Sequence, residues 1–204
     1  MKVLGLVGSP RKRGNTNMLV DTFLTGASSG AEVKKCFLVD LTINQCMGCA
    51  GKCVFRKGVK CKTHRDDMDE LLSEVVSSDI VLFASPLYCA TYTSLIARFF
   101  ERALPLWHIV YEKKTGSRKK KAVNRCPVRG KKAVIGMVQE SKKPASARIA
   151  FEAFEHNIKE IYKMDILEKI QVTDVTKQGD LRRKPKELKR IFELGKRAVT
   201  GGIK

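Results

Sequence analysis

Four cysteines lie close together in the first third of the chain, and their spacing is typical of a metal-binding loop. They follow the pattern C-x2-C-x3-C-x7-C within sixteen residues: Cys46, Cys49, Cys53 and Cys61. A 4Fe–4S cluster needs four cysteine ligands, whereas a structural zinc site is usually built from two C-x2-C pairs, of which only one is present. The spacing therefore favours an iron–sulfur cluster, with a zinc site and unligated thiols as the alternatives. His64 could replace a ligand, but its position predicts an exposed loop histidine.

A second group of polar residues occupies positions 8–17, GSPRKRGNTN, directly after the apolar run 3–7. The run predicts a buried strand, and the apolar residues after position 17 predict an amphipathic helix. The loop then lies at a helix start, where free N–H groups and the helix dipole attract anions. Ser9, Asn15, Thr16 and Asn17 offer short donors, Arg11, Lys12 and Arg13 offer charge, and Gly14 permits a positive φ or a close approach to a ligand.

This loop differs from the two best-known phosphate-binding motifs. Five residues rather than four separate Gly8 from Gly14, Asn15 stands where a Walker A loop has its lysine, and the GxGxxG pattern is absent. The missing lysine argues against ATP chemistry and for a terminal phosphate held by hydroxyls and amides, as in flavin mononucleotide (FMN). A plain polar turn between a strand and a helix is the alternative.

Strand and helix patterns alternate along the whole chain. Strands are predicted over 2–7, 32–38, 80–84, 133–138 and 164–175, and helices over 16–24, 66–76, 93–103, 145–162 and 186–199. Five such units predict an α/β fold: a flavodoxin-like, doubly wound, five-stranded parallel sheet of order 2-1-3-4-5, with a cysteine-rich loop after strand 2. We expect a single domain over 1–204, with the cysteine-rich loop at 46–61 and a basic insertion at 112–130. Asp66 or Asp67 is the expected N-cap of the second helix.

This topology predicts how the polar loops lie relative to one another. Ligands of such sheets bind beyond the carboxyl ends of strands 1 and 3, so the turn after strand 3 should also touch a flat cofactor ring. That turn contains Ser85, Pro86, Leu87 and Tyr88, followed by Cys89. We expect Cys89 to be a small buried residue, with a reactive thiol near the flavin as the alternative. Strand 2 pairs with strand 1 and leads into the cysteines, so the metal site and the flavin are expected on one edge of the sheet.

Composition limits the class of protein. Of the 204 residues, 43% are hydrophobic, which is enough for a substantial core, and no apolar run approaches the ~20 residues that span a bilayer. The first residues turn polar too soon for a signal peptide, so we expect a cytoplasmic protein with reduced thiols and no membrane partner.

The net charge is +19, and much of it is concentrated in residues 113–132, which contain ten Lys and Arg and no acid. This segment lacks periodicity and contains Gly116 and Pro127, which predicts a loop or a disordered stretch. Basic runs attract polyanions, but no aromatic residues interleave these charges as base stacking would require, so no nucleic acid is expected. A solvated loop is one interpretation, and a binding site for an acidic electron carrier such as ferredoxin is another.

Taken together, these motifs resemble the NADPH-dependent FMN reductase superfamily, and the cysteine quartet resembles that of its iron–sulfur flavoproteins. The matching stretches are, in order, GSPRKRGNTNML, INQCMGCAGKC…C, DDMDELL, SDIVLFASPLY and RFFER; the resemblance covers residues 1–103 well and 131–199 loosely. It implies a flavodoxin-like fold, FMN, a 4Fe–4S cluster and a homodimer or homotetramer. It also implies electron transfer from a carrier such as ferredoxin through the cluster to flavin, and on to acceptors such as dioxygen or peroxide.

The resemblance also implies roles for individual residues. It places phosphate and ribityl contacts on Ser9, Arg11, Asn15, Thr16 and Asn17, and ring contacts on Pro86, Leu87 and Tyr88. No side chain is assigned as acid or base, because the cofactors carry the chemistry. The family's cysteines usually stand closer together, which makes Cys61 the least regular ligand and Cys126 a remote substitute, and the basic insertion is not part of the family pattern. The alternative functions are an NAD(P)H-dependent FMN or quinone reductase without a cluster, and a zinc-containing nucleic-acid-binding module.

Overall fold

The computed structural model describes residues 1–56, 58–113 and 120–202. Its strands are, in chain order, β1 (Lys2–Val7), β2 (Glu32–Phe37), β3 (Ile80–Pro86), β4 (Ile109–Lys113), β5 (Lys120–Asn124), β6 (Lys132–Val138) and β7 (Asp165–Val172). Five of them form one parallel sheet in the order β2-β1-β3-β6-β7. Since β4 and β5 pair separately, this is the predicted 2-1-3-4-5 order, and the predicted fold class is confirmed.

Helices cover both faces of this sheet, and strands β1, β3 and β6 are therefore buried along almost their whole length. The helices are α1 (Asn15–Ala27), α2 (Met68–Ser77), α3 (Ser94–Arg102), α4 (Arg148–Glu155) and α5 (Pro185–Thr200). Residues of α1 and α5 pack on one face, and residues of α2, α3 and α4 pack on the other. No helix in the described part of the chain is long and apolar enough to cross a membrane.

Helices α1 and α5 touch through their backbones, because each contributes a glycine to the contact. A Cβ atom at Gly26 would overlap the carbonyl of Phe192, and one at Gly195 would overlap the carbonyl of Phe23. Since α1 follows β1 directly, this contact holds α1 against the sheet with its first residue at the carboxyl ends of the strands.

The predicted helix over 145–162 is wrong as a single regular element. The structure divides it into a 3-10 turn (Pro144–Ala147), α4 and a π-helical segment (His156–Ile161). A π segment has more residues in each turn than the 3.6 of an α-helix, so residues four apart stay on one face. Three residues at this spacing are fully buried: Phe154, Ile158 and Tyr162.

Strands β4 and β5 form an antiparallel pair within the segment for which the sequence predicts a loop or disorder. That prediction is wrong for residues 112–113 and 120–124, whereas residues 125–129 lie outside any strand or helix, as predicted. Ile109, Val110 and Tyr111 favour strands, and the ring of Tyr111 stacks on that of Phe55 with a centroid distance of 5.9 Å. Phe55 belongs to the cysteine-rich segment, which is distant in sequence, so no local pattern reveals this contact. The part of the insertion over 114–119 lies outside the described residues.

Candidate functional site

The loops that follow β1, β3, β6 and β7 surround a cavity of about 250 Å³ at the carboxyl ends of these strands, which we call the rim cavity. It lies at the switch point between β1 and β3, where doubly wound sheets bind their ligands and where the sequence predicts a site. Its lining residues are Ser9, Arg11, Gly14, Asn15, Thr16, Pro86, Leu87, Tyr88, Val138, Gln139, Glu140, Val175, Thr176 and Gln178.

The first loop of the rim cavity starts at Gly8, which packs too closely to its neighbours for any side chain. Its N–H donates to the carbonyl of Ala84 over 2.7 Å, and its own carbonyl accepts from Thr93 Oγ1 over 2.6 Å. A Cβ atom at this position would overlap the side chain of Ile96. These contacts join the loop to the end of β3 and to the start of α3.

Gly14 precedes α1 with an extended backbone (φ −80°, ψ 172°), so the expectation of a positive φ is wrong. It instead allows a tight turn, because its N–H donates to the carbonyl of Arg11 and a Cβ atom would lie 3.0 Å from that oxygen. No side chain of the described residues caps α1, and Ser9 Oγ accepts from the N–H of Arg11 rather than from the helix. The free N–H groups at the start of α1 therefore border the rim cavity and could bind an anion there.

Eight of the ten predicted cofactor contacts line the rim cavity, and Asn17 and Ser85 do not. Asn17 uses its amide within the fold, since Nδ2 donates to Asp21 and Oδ1 accepts from Lys35, both over 2.9 Å. Ser85 is fully buried, and its hydroxyl donates to the next carbonyl and accepts from the N–H of Thr93. Both side chains therefore support the elements that line the cavity.

Asn15 lines the rim cavity and also connects two of its loops. Its Nδ2 donates to the carbonyl of Lys177 over 2.9 Å, and its Oδ1 accepts from the N–H of Leu181 over 3.1 Å. The loops after β6 and β7 carry no recognisable motif, and sequence reasoning missed their contribution. The predicted strand order could have indicated this contribution, because it places the loop after strand 4 beside the turn after strand 3. The missed lining residues are Val138, Gln139, Glu140, Val175, Thr176 and Gln178.

The turn after β3 has an unusual backbone. Tyr88 and Thr91 exchange backbone hydrogen bonds of 2.9 Å in both directions. Between them, Cys89 and Ala90 have positive φ angles of 47° and 63°, the conformation of a type I′ turn, which favours Asn and Gly. Cys89 is exposed, so the expectation that it is buried is wrong. Tyr88 keeps 43% of its surface exposed where it lines the rim cavity, so its ring is available to a ligand.

The four cysteines of the quartet line one small cavity, which we call the cysteine cavity. Its lining comprises Cys46, Met47, Cys49, Cys53, Cys61, Thr63, His64, Glu101, Arg102, Leu104 and Pro105. The structure thus brings together all four predicted ligands, including the least regular one, Cys61. Cys126 is not part of this lining and is buried elsewhere, where its thiol donates to the carbonyl of Tyr162 over 3.1 Å. Its proposed role as a substitute for Cys61 therefore finds no support.

Polar groups around the cysteine cavity would stabilise negative charge on its sulfur atoms. The N–H groups of Thr63 and His64 point at Cys61 Sγ over 3.4 and 3.5 Å. Arg102 is buried beside the thiols in an ion pair with Asp66, and its Nε has no hydrogen-bond partner in the described residues. Nε2 of His64 is buried without a partner there as well, so the expectation of an exposed histidine is wrong. Buried donors without partners are rare, and a sulfur-rich anion would supply acceptors.

Either metal centre, a zinc ion or a 4Fe–4S cluster, would need the thiols of the cysteine cavity in their ionised form. Burial raises the pKa of Cys53, and the charges of the neighbouring thiols raise it further, so the site needs a cation to hold thiolates. Within the described ranges, no three His, Cys, Asp or Glu side chains are arranged to hold one metal ion. Zinc at ~2.3 Å from four thiolates would bring the sulfurs within ~3.8 Å of one another. In a 4Fe–4S cluster each cysteine binds a different iron, and both centres would use the same four thiols as ligands.

Both acids before α2 accept hydrogen bonds from the chain that precedes the cysteines, and Asp66 also contacts the start of the helix. Asp67 stands at the N-cap position but makes no capping bond, and its carboxylate accepts from the N–H of Thr42 over 2.7 Å. Asp66 accepts from both the N–H and the side-chain amide of Asn44 over 2.9 Å. Of the two predicted caps, Asp67 is therefore wrong, whereas Asp66 Oδ1 accepts from the N–H of Met68, the first residue of α2, over 3.3 Å.

The rim cavity and the cysteine cavity lie at opposite ends of α3. The turn after β3 leads into the start of α3, whereas residues at 101–105, at its end, line the cysteine cavity. Arg98 and Arg102 donate to the carbonyls of Ile43 and Asn44 over 3.2 and 2.7 Å, so the chain after β2 runs along α3 away from the rim. Nine helical residues span ~13 Å. The predicted common edge is thus replaced by a separation of about one helix length.

Comparison with known proteins points to one family. The family model described as NADPH-dependent FMN reductase matches residues 1–146. An iron–sulfur flavoprotein of Archaeoglobus fulgidus is 44% identical over 109 residues, which cover 53% of this chain and 48% of that protein. An iron–sulfur flavoprotein of Methanocaldococcus jannaschii is 36% identical over 107 residues, covering 52% of this chain and 53% of that protein. The match thus spans about half the length of these curated relatives.

Solved structures resemble the whole chain in fold. An NAD(P)H:quinone oxidoreductase from Methanothermobacter marburgensis has a TM-score of 0.70 at 14% identity, and the match covers 97% of this chain and 96% of that one. A flavone reductase has a TM-score of 0.68 at 16% identity, covering 98% of this chain and 62% of that one. At these identities the likeness establishes the flavodoxin-like fold.

Proposed function

Because the chain belongs to the NADPH-dependent FMN reductase family, we propose that it binds FMN in the rim cavity and works as a flavin-dependent oxidoreductase. Support comes from the uncapped start of α1, where Thr16 and Arg11 offer a hydroxyl and a charge to the phosphate. At the other side of the cavity, Pro86, Leu87 and Tyr88 offer apolar surface to the ring. The contacts predicted for Asn17 and Ser85 remain predictions.

We further propose that Cys46, Cys49, Cys53 and Cys61 hold a 4Fe–4S cluster, which makes the protein an iron–sulfur flavoprotein. The observation that carries this proposal is the convergence of all four thiols on one cavity that also contains an unpaired buried donor, Arg102 Nε. When both cofactors are bound, the cluster exchanges single electrons and FMN exchanges one or two, so the protein can connect one-electron and two-electron redox partners.

The chain's own residues would tune this chemistry. Arg102 and the N–H groups directed at Cys61 stabilise negative charge in the cysteine cavity, and such donors make an iron–sulfur centre easier to reduce. Electrons would come from a carrier such as ferredoxin or from NAD(P)H and leave to an acceptor such as dioxygen or peroxide. A homodimer or homotetramer is the proposed assembly.

Anaerobic purification with cofactor analysis tests this function. We expect about four irons, about four acid-labile sulfides and one FMN per chain, and broad visible absorption that bleaches with dithionite. Cys53→Ser should lose iron and sulfide but keep FMN. The matched control is Cys126→Ser, which removes a buried thiol outside the cysteine cavity and should keep all three. FMN without iron in the wild-type protein would leave the alternative, an NAD(P)H-dependent FMN or quinone reductase without a cluster.

A further inference from the structure

The hairpin formed by β4 and β5 packs directly on the cysteine-rich segment. The rings of Phe55 and Tyr111 stack with an interplanar angle of 12°. Glu112 and Arg125 form an ion pair that joins the two strands, and the N–H of Arg125 donates to the carbonyl of His108 over 2.6 Å. An insertion that sequence alone predicts to be a solvated loop is therefore a structured part of the wall beside the four thiols.

Large apolar side chains are exposed around this contact. Met47, which lines the cysteine cavity, is 67% exposed, and Phe55 and Tyr111 are 49% and 59% exposed. Trp107, which lies between the end of α3 and the hairpin, is 39% exposed. Aromatic and methionine side chains of this kind are enriched at protein–protein interfaces, where they provide most of the binding energy.

Exposed basic residues are frequent in the same two segments that carry these apolar side chains. The cysteine-rich segment contributes Lys52, Arg56, Lys60, Lys62 and Arg65, and residues 46–65 contain no acid. The hairpin and its exit contribute Lys113, Lys120, Lys121 and Arg129, and the one acid of the described hairpin strands, Glu112, pairs with Arg125. The two segments therefore present exposed apolar and exposed basic side chains together, and we call their surface the basic aromatic face.

We propose that the basic aromatic face is the docking site for a small acidic protein that carries a one-electron redox centre. The proposal rests on the proposed function and adds to it the place where the carrier binds. A second copy of this chain is disfavoured as the occupant, because its own charge of +19 would oppose contact with the same positive surface. In each encounter the reduced carrier would lose one electron, and the cluster proposed for the cysteine cavity would accept it.

Charge reversal on the hairpin tests the docking site. Lys120→Glu with Lys121→Glu changes the charge of the basic aromatic face by four units without touching either cavity. The matched control is Lys186→Glu with Lys189→Glu, which makes the same change on exposed residues of α5, on the other face of the sheet. The probe is a plant-type ferredoxin, and its dissociation constant is measured by titration calorimetry at about 0.15 M ionic strength.

We expect the hairpin variant to bind the ferredoxin at least about tenfold more weakly than wild type, and the α5 variant to bind within about threefold, since local charge steers association. Equal weakening in both variants would mean that only net charge matters and would overturn the docking site. Tighter binding of a single-stranded oligonucleotide than of the ferredoxin would overturn it too. Iron and FMN contents of the same samples test the proposed function separately, because they do not depend on ferredoxin binding.

Discussion

Asp66 and Arg102 form a buried ion pair that closes the cysteine-rich segment. Nη1 and Nη2 of Arg102 donate to Oδ2 and Oδ1 of Asp66 over 2.7 and 2.9 Å, and each side chain is only 2% exposed. Nη1 also donates to the carbonyl of Asn44, two residues before the first cysteine of the quartet, Cys46. Asp66 follows the last cysteine of the quartet, Cys61, by five residues. The pair therefore joins the two ends of the segment that carries all four thiols.

Removal of one partner should be costly, because it leaves the other charge buried and unpaired. Arg102→Met should lower the free energy of unfolding by about 3–5 kcal/mol. The double variant Arg102→Met with Asp66→Asn should be more stable than Arg102→Met alone, since the unpaired charge is gone.

The matched control is Arg98→Met, which removes one hydrogen bond to the same segment from an exposed arginine one turn earlier. It should lower the free energy of unfolding by less than about 1 kcal/mol. Urea denaturation measures all three, and equal effects at the two arginines would refute the role of the pair.

The ion pair also predicts how stability depends on pH. Burial alone would raise the pKa of Asp66, but hydrogen bonds from Arg102 and Asn44 hold it well below the usual range. Since the folded pKa is lower than the unfolded value of about 3.9, the pair contributes fully above about pH 5 and loses its contribution as pH falls through 4 and below. The free energy of unfolding between pH 7 and pH 3 should therefore fall more steeply for wild type than for Asp66→Asn. Identical slopes would show that Asp66 is not held in its charged form.

The start of α1 should discriminate between FMN and riboflavin, which lacks the phosphate. Thr16→Val and Arg11→Ala each remove a donor at the rim cavity and should weaken FMN binding by about 1.5–3 kcal/mol, or roughly 10- to 100-fold in the dissociation constant. Riboflavin binding should change little. The control is Lys12→Ala, whose ammonium pairs with Asp40 and lies outside the lining of the cavity. Flavin fluorescence titration measures each constant, and an equal loss of affinity for both flavins would place the phosphate elsewhere.

A glycine substitution in the strained turn after β3 should stabilise the protein, whereas glycine substitutions usually destabilise it. Ala90 has a φ of 63°, a conformation that costs an alanine about 1–2 kcal/mol. Glycine adopts this conformation without strain but loses more backbone entropy on folding, so Ala90→Gly should raise the free energy of unfolding by up to about 1 kcal/mol. Ala97→Gly, in the middle of α3, should lower it by about 1 kcal/mol. Thermal unfolding compares the two variants, and destabilisation by Ala90→Gly would contradict the left-handed geometry.

The sheet could be predicted from the sequence because its strands are continuous apolar runs separated by polar loops. The rim cavity was predictable in part for the same reason, since the turns after β1 and β3 carry recognisable polar and proline-containing stretches. The loops after β6 and β7 carry none, so Gln139 and Thr176 were found only through the fold.

Three-dimensional contacts account for the features that the sequence did not reveal. The hairpin forms where Tyr111 stacks on Phe55, and no sequence pattern predicts that these two residues are in contact. The position of the cysteine cavity depends on Arg98 and Arg102, which hold the chain after β2 along α3. A pattern-based argument assumes that a loop stays at the end of its strand, whereas these two hydrogen bonds move the cysteines about one helix length away.

The central claim is that four cysteines on one cavity hold an iron–sulfur cluster within a flavodoxin-like fold. Its most direct test is an anomalous difference map, recorded at the iron absorption edge from crystals grown without oxygen. The account predicts one strong iron peak enclosed by Cys46, Cys49, Cys53 and Cys61. A single zinc ion at these thiols, or no metal while FMN occupies the rim cavity, would contradict it.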